Sequence, residues 1–280
     1  MSPKNPRVLI VGAGAVGQVY GRHLQLGGAE VTFLVKPHHV PGLQAPLKLY
    51  PLNSHQLTDP PVEFSEYELI TEPPSLSAPP FDQVWLCVSS PALRHPWLEE
   101  LCAAIGDATV VSLLPGIEDR DLLLQFVPED RLVSGLITII SYPAPLPGEP
   151  AESRGMAYWF PPLGPTPLSG PTERRNAAVQ LLRAGRQPAK PHPDVASISG
   201  FPTAVLMPLL MGLEASHWRF SELSRSEHGP RALAGVREAI TVVSKHHGRP
   251  RPWWLNLLNL TTLRLLLWVA PKAVPLPLET

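Results

Sequence analysis

Gly12, Gly14 and Gly17 follow the apolar run Val8-Leu9-Ile10-Val11 at the spacing G-x-G-x-x-G, which suits the holding of a pyrophosphate. Gly12 permits a tight turn out of a strand. Gly14 lets backbone approach a phosphate, and Gly17 lets the next helix pack closely on the sheet. With Ala13, Ala15 and Val16 between them, these residues would present unpaired N–H groups and the positive end of a helix dipole to the anion. The predicted ligand is a dinucleotide, and the reading needs a strand before the motif and a helix after it.

A second group of residues selects the dinucleotide. Sites for NAD place Asp or Glu about 20 residues beyond the motif to accept hydrogen bonds from the ribose 2′-OH, and NADP sites place a cation there. Here the chain reads Phe33-Leu34-Val35-Lys36-Pro37-His38-His39, with no carboxylate. Lys36, assisted by His38 or His39, can pair with a 2′-phosphate, so the spacing favours NADP(H) over NAD(H).

The elements that must position these residues follow from periodicity. Val8 to Val11 is a fully apolar run suited to a central parallel strand; Ala15 to Leu26 is helical, and Gly27-Gly28 stops it. A second strand covers Glu30 to Val35. Short strand candidates lie at Lys48 to Leu52 and Glu68 to Thr71. Beyond them the pattern predicts a strand at Phe81 to Val88, a helix from Ala92 to Ile105 and a strand at Thr109 to Leu114. A helix at Asp119 to Phe126, one strand at Leu132 to Ser141 and a last strand at Met156 to Phe160 follow. From Thr172 helices dominate: Thr172 to Arg186, Asp194 to Trp218 with Asp194 as N-cap, Pro230 to His247 and Trp253 to Val269. The expected fold is therefore α/β, an N-terminal Rossmann-type doubly wound sheet over residues 1–168 followed by a mainly helical C-terminal domain over 169–280.

Composition bounds the partners. The net charge of −1 gives no bulk attraction to nucleic acid. From Gly170 onward there are 14 Lys and Arg against 7 Asp and Glu. That asymmetry fits two domains flanking a cleft for anionic ligands, and equally a chance distribution of surface charge. Cys87 and Cys102 lack metal-ligand spacing and read as buried thiols of a reducing compartment, the cytoplasm. Charge among the first seven residues and the glycines after them are unlike a signal peptide. The 36 prolines exceed the usual share of about 5% and cluster between periodic segments, as stiff connectors. The apolar stretch from Trp253 to Val269 could span a membrane, lie on one through Trp253 and Trp254, or be buried in the domain or a subunit interface. Asn256, Asn259, Thr261, Thr262 and Arg264 interrupt it and favour burial, without membrane contact and compatibly with a homodimer.

The run Val11-Gly-Ala-Gly-Ala-Val-Gly17 with Tyr20, the basic Lys36, the helical C-terminal half and the Leu206-Met-Pro-Leu209 stretch together resemble the ketopantoate reductase family. The resemblance implies reduction of 2-dehydropantoate to pantoate with NADPH, a step of pantothenate biosynthesis. It implies cofactor contacts at Gly12, Ala13, Gly14, Ala15, Val16, Gly17, Lys36, Ser89 and Pro115. The family's polar residues are replaced here: its lysine after the strand Val84 to Val88 by Ser89-Ser90-Pro91, and its Asn-Gly after Thr109 to Leu114 by Pro115-Gly116. Its catalytic lysine falls near Ser199 and an asparagine near Thr203. Its acidic substrate-binding residue lies in a helix beyond the segment matching Trp253 to Val269, so the C-terminal domain is expected to be shortened.

Reduction of a 2-keto acid needs a hydride, a proton for the developing alkoxide and a cation or hydrogen bonds for the carboxylate. Ser199 and Thr203 can donate hydrogen bonds; Glu214 and His217, one helical turn apart, could relay a proton. The first expectation is an NADP(H)-dependent oxidoreductase acting on a small anionic 2-keto acid or related carbonyl. The second is a catalytically degenerate dinucleotide-binding protein with a sensory or structural role. The third is a membrane-peripheral or partner-binding protein that uses Trp253 to Val269.

Overall fold

The computed structural model describes residues 5–75 and 77–273. Two compact units divide them, one running to Pro145 and from Glu149 to Ala196, the other comprising Leu146–Gly148 and the residues from Ser197 on. The division expected at 168 thus lies further along the chain, because the helix that starts at Thr172 and the short strand after it complete the first unit's sheet.

In chain order the first unit contains β1 (Arg7–Val11), α1 (Ala15–Leu26), β2 (Glu30–Leu34), β3 (Leu47–Pro51), β4 (Val62–Phe64), β5 (Glu68–Ile70), β6 (Gln83–Leu86), α2 (Trp97–Ala104) and β7 (Thr109–Ser112). Next come α3 (Asp119–Leu123), β8 (Leu132–Gly135), β9 (Ile140–Ala144), β10 (Gly155–Trp159), β11 (Thr166–Ser169), α4 (Thr172–Ala184) and β12 (Ala189–Pro191). The larger sheet has the order β12-β11-β8-β7-β6-β1-β2-β5, parallel at every junction except β8 with β11.

The unbroken apolar run of β1 is explained by its central place. Val8 and Ile10 point into one core with α1 and α4, and Leu9 and Val11 into a second core with α2 and α3. Alternate side chains leave a strand on opposite faces, so a strand covered on both sides has no position for a polar residue. In β6, Trp85 enters the first core while Val84 and Leu86 enter the second.

Two expectations change here. The single strand predicted for Leu132 to Ser141 is two strands, β8 in the larger sheet and β9 in a separate four-stranded sheet of order β4-β3-β10-β9. Apolar character continues across the break because both sheets contribute to the same core. The helix predicted from Ala92 to Ile105 is a 3-10 turn, Ser90–Arg94, followed by α2, with Pro96 at its N-cap.

His23 of α1 joins three elements. It is 5% exposed; its Nδ1–H donates to the carbonyl of Gly185 at the end of α4 at 2.6 Å, and Nε2 lies 3.1 Å from the Tyr158 hydroxyl of β10. Tyr158 and Phe160 meet its ring edge-on.

In the second unit α5 (Ala196–Ala215) carries Pro202 and Pro208. Around its C-terminal end α6 (Phe220–Arg225), α7 (His228–His246) and α8 (Leu260–Ala273) assemble, with Leu213, Phe220 and Leu223 at the centre and Leu267 and Ala270 against them. The helix predicted over Trp253 to Val269 is broken. A 3-10 turn, Trp253–Leu257, precedes α8, and Asn259 Oδ1 accepts the N–H groups of Thr261 and Thr262 at 2.9 and 3.1 Å. Asparagine in that position caps a new helix rather than continuing an old one. Among the described residues α8 runs for 14, fewer than the about 20 of a bilayer span. Among the described residues α5 is long and apolar enough to cross a membrane by length and composition alone.

Burial, the largest influence, lowers the pKa of His23, helped by the nearby Arg22 and opposed by the Gly185 carbonyl. The unfolded chain therefore binds the proton more readily. The stabilisation from neutral His23 is complete above about pH 6.5 and is lost as pH falls below that value, at up to about 1.4 kcal/mol per pH unit. Urea titrations from pH 7.5 downward are expected to show this slope in the wild type and a shallower one in His23→Phe. Identical slopes in the two proteins would mean that another group is responsible.

Candidate functional site

The carboxyl edge of the larger sheet gathers every residue expected to touch the dinucleotide. Just before their loops, three strand ends are tied together: Gly12 N–H donates to Leu34 C=O and Cys87 N–H to Val11 C=O, each at 3.0 Å. The strand order reverses direction at β1, between β2 and β6. Such a switch point opens a crevice outside the strand ends, where open α/β sheets bind ligands.

The three glycines are separated by their surroundings. Gly12 has φ +96°, and a Cβ there would stand 3.0 Å from Cys87 O and Val88 Cγ1. Gly17 carries the tightest contact: a Cβ would lie 2.0 Å from Gly12 O, so the first turn of α1 rests directly on the exit of β1. Around Gly14 nothing lies within 4 Å of the Cβ direction. Close packing therefore requires glycine at 12 and 17, whereas Gly14 borders open space.

That space is lined by donors. The first helical bond of α1 runs from Gln18 N–H to Gly14 C=O at 3.0 Å, leaving the N–H groups of Ala15, Val16 and Gly17 without helical acceptors. Gln18 also donates from Nε2 to Ala13 O at 2.8 Å and so fixes the loop from within. The first turn carries no acidic residue. Dipole, donors and open volume together fit a pyrophosphate.

Lys36 stands exposed at the tip of β2, heading the 3-10 turn Pro37–Leu43. His38 and His39 are exposed beside it, their rings 4.1 Å apart. Lys36 has no ion pair among the described residues. On the neighbouring strand, Ile70 pairs with Leu34, and Glu72 follows Ile70 by the same two residues that separate Lys36 from Leu34. Glu72 is exposed in the loop after β5, a segment remote from Lys36 in sequence.

Ser89 and Pro115 are exposed in the loops after β6 and β7. Two of their neighbours carry a contact absent from the sequence reading. Asp119, 5% exposed, accepts the Ser90 hydroxyl at 2.6 Å and the Gly116 N–H at 2.8 Å, both on Oδ2. Nearby, burial pushes the Cys87 thiol up to about 12, and in α2 it pushes Cys102 up to about 11. Both are free and half-buried rather than fully buried as expected, and the upward shift keeps them protonated at neutral pH.

The four candidates for proton transfer belong to the second unit. Ser199 is buried in α5 and Thr203 is half-buried, a little further along the same helix. The proposed relay of Glu214 and His217 on one helical face is not formed. The helix ends at Ala215, His217 and Trp218 take φ of 51° and 60°, and the Trp218 N–H closes the turn on Leu213 C=O at 2.8 Å. His217 therefore sits in a left-handed terminal turn, and both side chains are exposed. Among the described residues no group of three or more His, Cys, Asp and Glu could hold a metal ion.

Residues 8–146 match the family described as Ketopantoate reductase PanE/ApbA. The 2-dehydropantoate 2-reductase of Geobacter metallireducens GS-15 superposes with a TM-score of 0.71 at 17% identity, over 96% of this chain and 88% of that one. The 2-dehydropantoate 2-reductase of Porphyromonas gingivalis W83 gives 0.66 at 17%, over 98% and 96%. A D-mandelate dehydrogenase solved with NADH and anilino(oxo)acetate gives 0.67 at 18%, over 96% and 80%. At such identities the likeness shows the fold. No curated protein matches the sequence.

The different surroundings of the glycines generate a paired expectation. Gly14→Ala is expected to cost about 0.5–1 kcal/mol of stability, the advantage of glycine over alanine as an N-cap, and to weaken dinucleotide binding at least about tenfold, because its methyl enters the cradle. Gly17→Ala is expected to destabilise the protein by about 1–3 kcal/mol, because its methyl meets backbone. Thermal melts with cofactor titrations read both; equal loss of stability in the two variants would contradict the open space at Gly14.

Proposed function

We propose that this chain, which through residues 8–146 belongs to the ketopantoate reductase family, uses NADPH to reduce a small 2-keto acid or related carbonyl. The family comprises nicotinamide dinucleotide-dependent reductases. The observation that carries the choice of NADPH is Lys36, exposed and without an ion pair among the described residues, at the strand tip where NAD sites place a carboxylate. When bound, the cofactor supplies the hydride. The chain's own work is to hold it: N–H groups of Ala15, Val16 and Gly17 on the pyrophosphate, Lys36 on the 2′-phosphate, and the loops bearing Ser89 and Pro115 beside the nicotinamide half. 2-Dehydropantoate, and with it a place in pantothenate biosynthesis, is the first substrate to test. Two free cysteines suit a reducing compartment such as the cytoplasm. We assign it no nucleic-acid partner and no membrane contact; a homodimer fits the same reading.

A second reading has its own support. Where the family carries lysine and amide side chains, this chain has Ser89, Pro115, Ser199 and Thr203. An unassisted hydroxyl is a poor acid at neutral pH, since its pKa lies far from the operating range. A dinucleotide-binding protein without turnover would have the same cradle and the same Lys36.

NADPH is expected to raise the melting temperature more than NADH does, and Lys36→Ala to weaken NADPH binding by about 10- to 100-fold, the worth of one charge-assisted hydrogen bond, with NADH binding little changed. Equal stabilisation of the wild type by both cofactors would overturn the assignment to NADPH. NADPH consumption over a panel of 2-keto acids, with binding measured in parallel, separates the two functions. Binding without turnover on any of them would select the non-catalytic reading.

A further inference from the structure

We infer that Asp119 is a positioning residue for the nicotinamide half of the cofactor, an inference that rests on the dinucleotide reading above. Lys36 at the end of β2 marks the adenosine end of the site, and the pyrophosphate cradle lies at the end of β1. The other half must then extend over β6 and β7, next in the sheet order. The backbone available there is that of the loops after these two strands, which contain Ser89-Ser90 and Pro115-Gly116.

Asp119 binds these loops to each other. Its Oδ2 accepts Ser90 Oγ–H at 2.6 Å from the loop after β6 and Gly116 N–H at 2.8 Å from the loop after β7. The pair Arg94–Glu118 spans the same gap at 3.5 Å, but both side chains are more than half exposed, and an exposed pair of that length contributes little. Asp119 is 5% exposed. A buried carboxylate holding two donors gives stronger, more directional bonds, and losing it leaves both donors without an acceptor. A Cβ on Gly116 would lie 2.5 Å from Asp119 Oδ2, so this loop is folded tightly over the carboxylate. Removing the carboxylate releases Ser89 and Pro115 on either side while leaving the glycine cradle and Lys36 in place.

The test divides the ligand as the site is divided. Affinities for NADPH and for 2′-phospho-AMP, which carries only the adenosine end, are measured by calorimetry in the wild type, Asp119→Ala and Ser90→Ala. Asp119→Ala is expected to weaken NADPH about tenfold and 2′-phospho-AMP less than twofold. Ser90→Ala, which removes one of the two bonds and keeps the carboxylate, is expected to weaken NADPH by about threefold. A role confined to folding would lower both affinities together, or neither, and either result overturns the inference. If both Asp119→Ala and Ser90→Ala bind NADPH as the wild type does, the inference fails and the cofactor reading stands. If the wild type binds neither ligand, the cofactor reading itself fails.

Discussion

The contact between the first turn of α1 and the exit of β1 governs the rest of the first unit. With only hydrogen at position 17, the helix settles onto the Gly12 carbonyl, where a Cβ would come within 2.0 Å of it. That approach aims the helix N-terminus at the sheet's carboxyl edge and brings Val19, Tyr20 and Leu24 onto the core that also receives Val8 and Ile10. Packing and ligand geometry thus come from one constraint. A larger residue would separate helix from strand and turn the unpaired N–H groups away from the crevice.

The same helix is enclosed on its far side. Through His23 it is bonded to the end of α4 and to the small sheet, so α1 lies between two layers of β structure instead of covering one. Phe33 of β2 meets Phe64 and Tyr67 at ring distances of 6.2 and 5.3 Å, which extends the contact between the layers. A cradle built on a helix held from both sides is rigid, and rigid donors bind an anion without a further cost in ordering.

The two sides of the crevice at the sheet's carboxyl edge differ in how they are made. On one side, glycines, helix N-terminus and Lys36 occur within a single βαβ unit, and each acts through local backbone geometry or its own charge. On the other side the loops after β6 and β7 are held by Asp119, which lies three residues from Gly116 but reaches Ser90, 29 residues away. The proton-transfer candidates Ser199, Thr203, Glu214 and His217 belong to another unit altogether, and the left-handed turn at His217 removes the one pairing among them that helical spacing implied.

Local chemistry was therefore legible in the sequence wherever a residue's role depends on near neighbours. The G-x-G-x-x-G spacing, the apolar run of β1, the placing of Lys36 and the succession of strands and helices all belong to this kind, because periodicity and turn geometry act over a few residues. What the chain does beyond that range was decided by tertiary structure. The apolar run from Leu132 to Ser141 reads as one strand because both its halves are buried, yet the halves join different sheets. Thr172–Ala184 reads like the helices after it, but its Ala178, Val179 and Leu182 face the core of the first unit. The Asn259 cap splits a stretch whose composition alone reads as continuous. Asp119 is an ordinary helix-start residue until the fold brings Ser90 beside it. Amino-acid order determined the cradle; only three-dimensional packing decided how the loops opposite it are held.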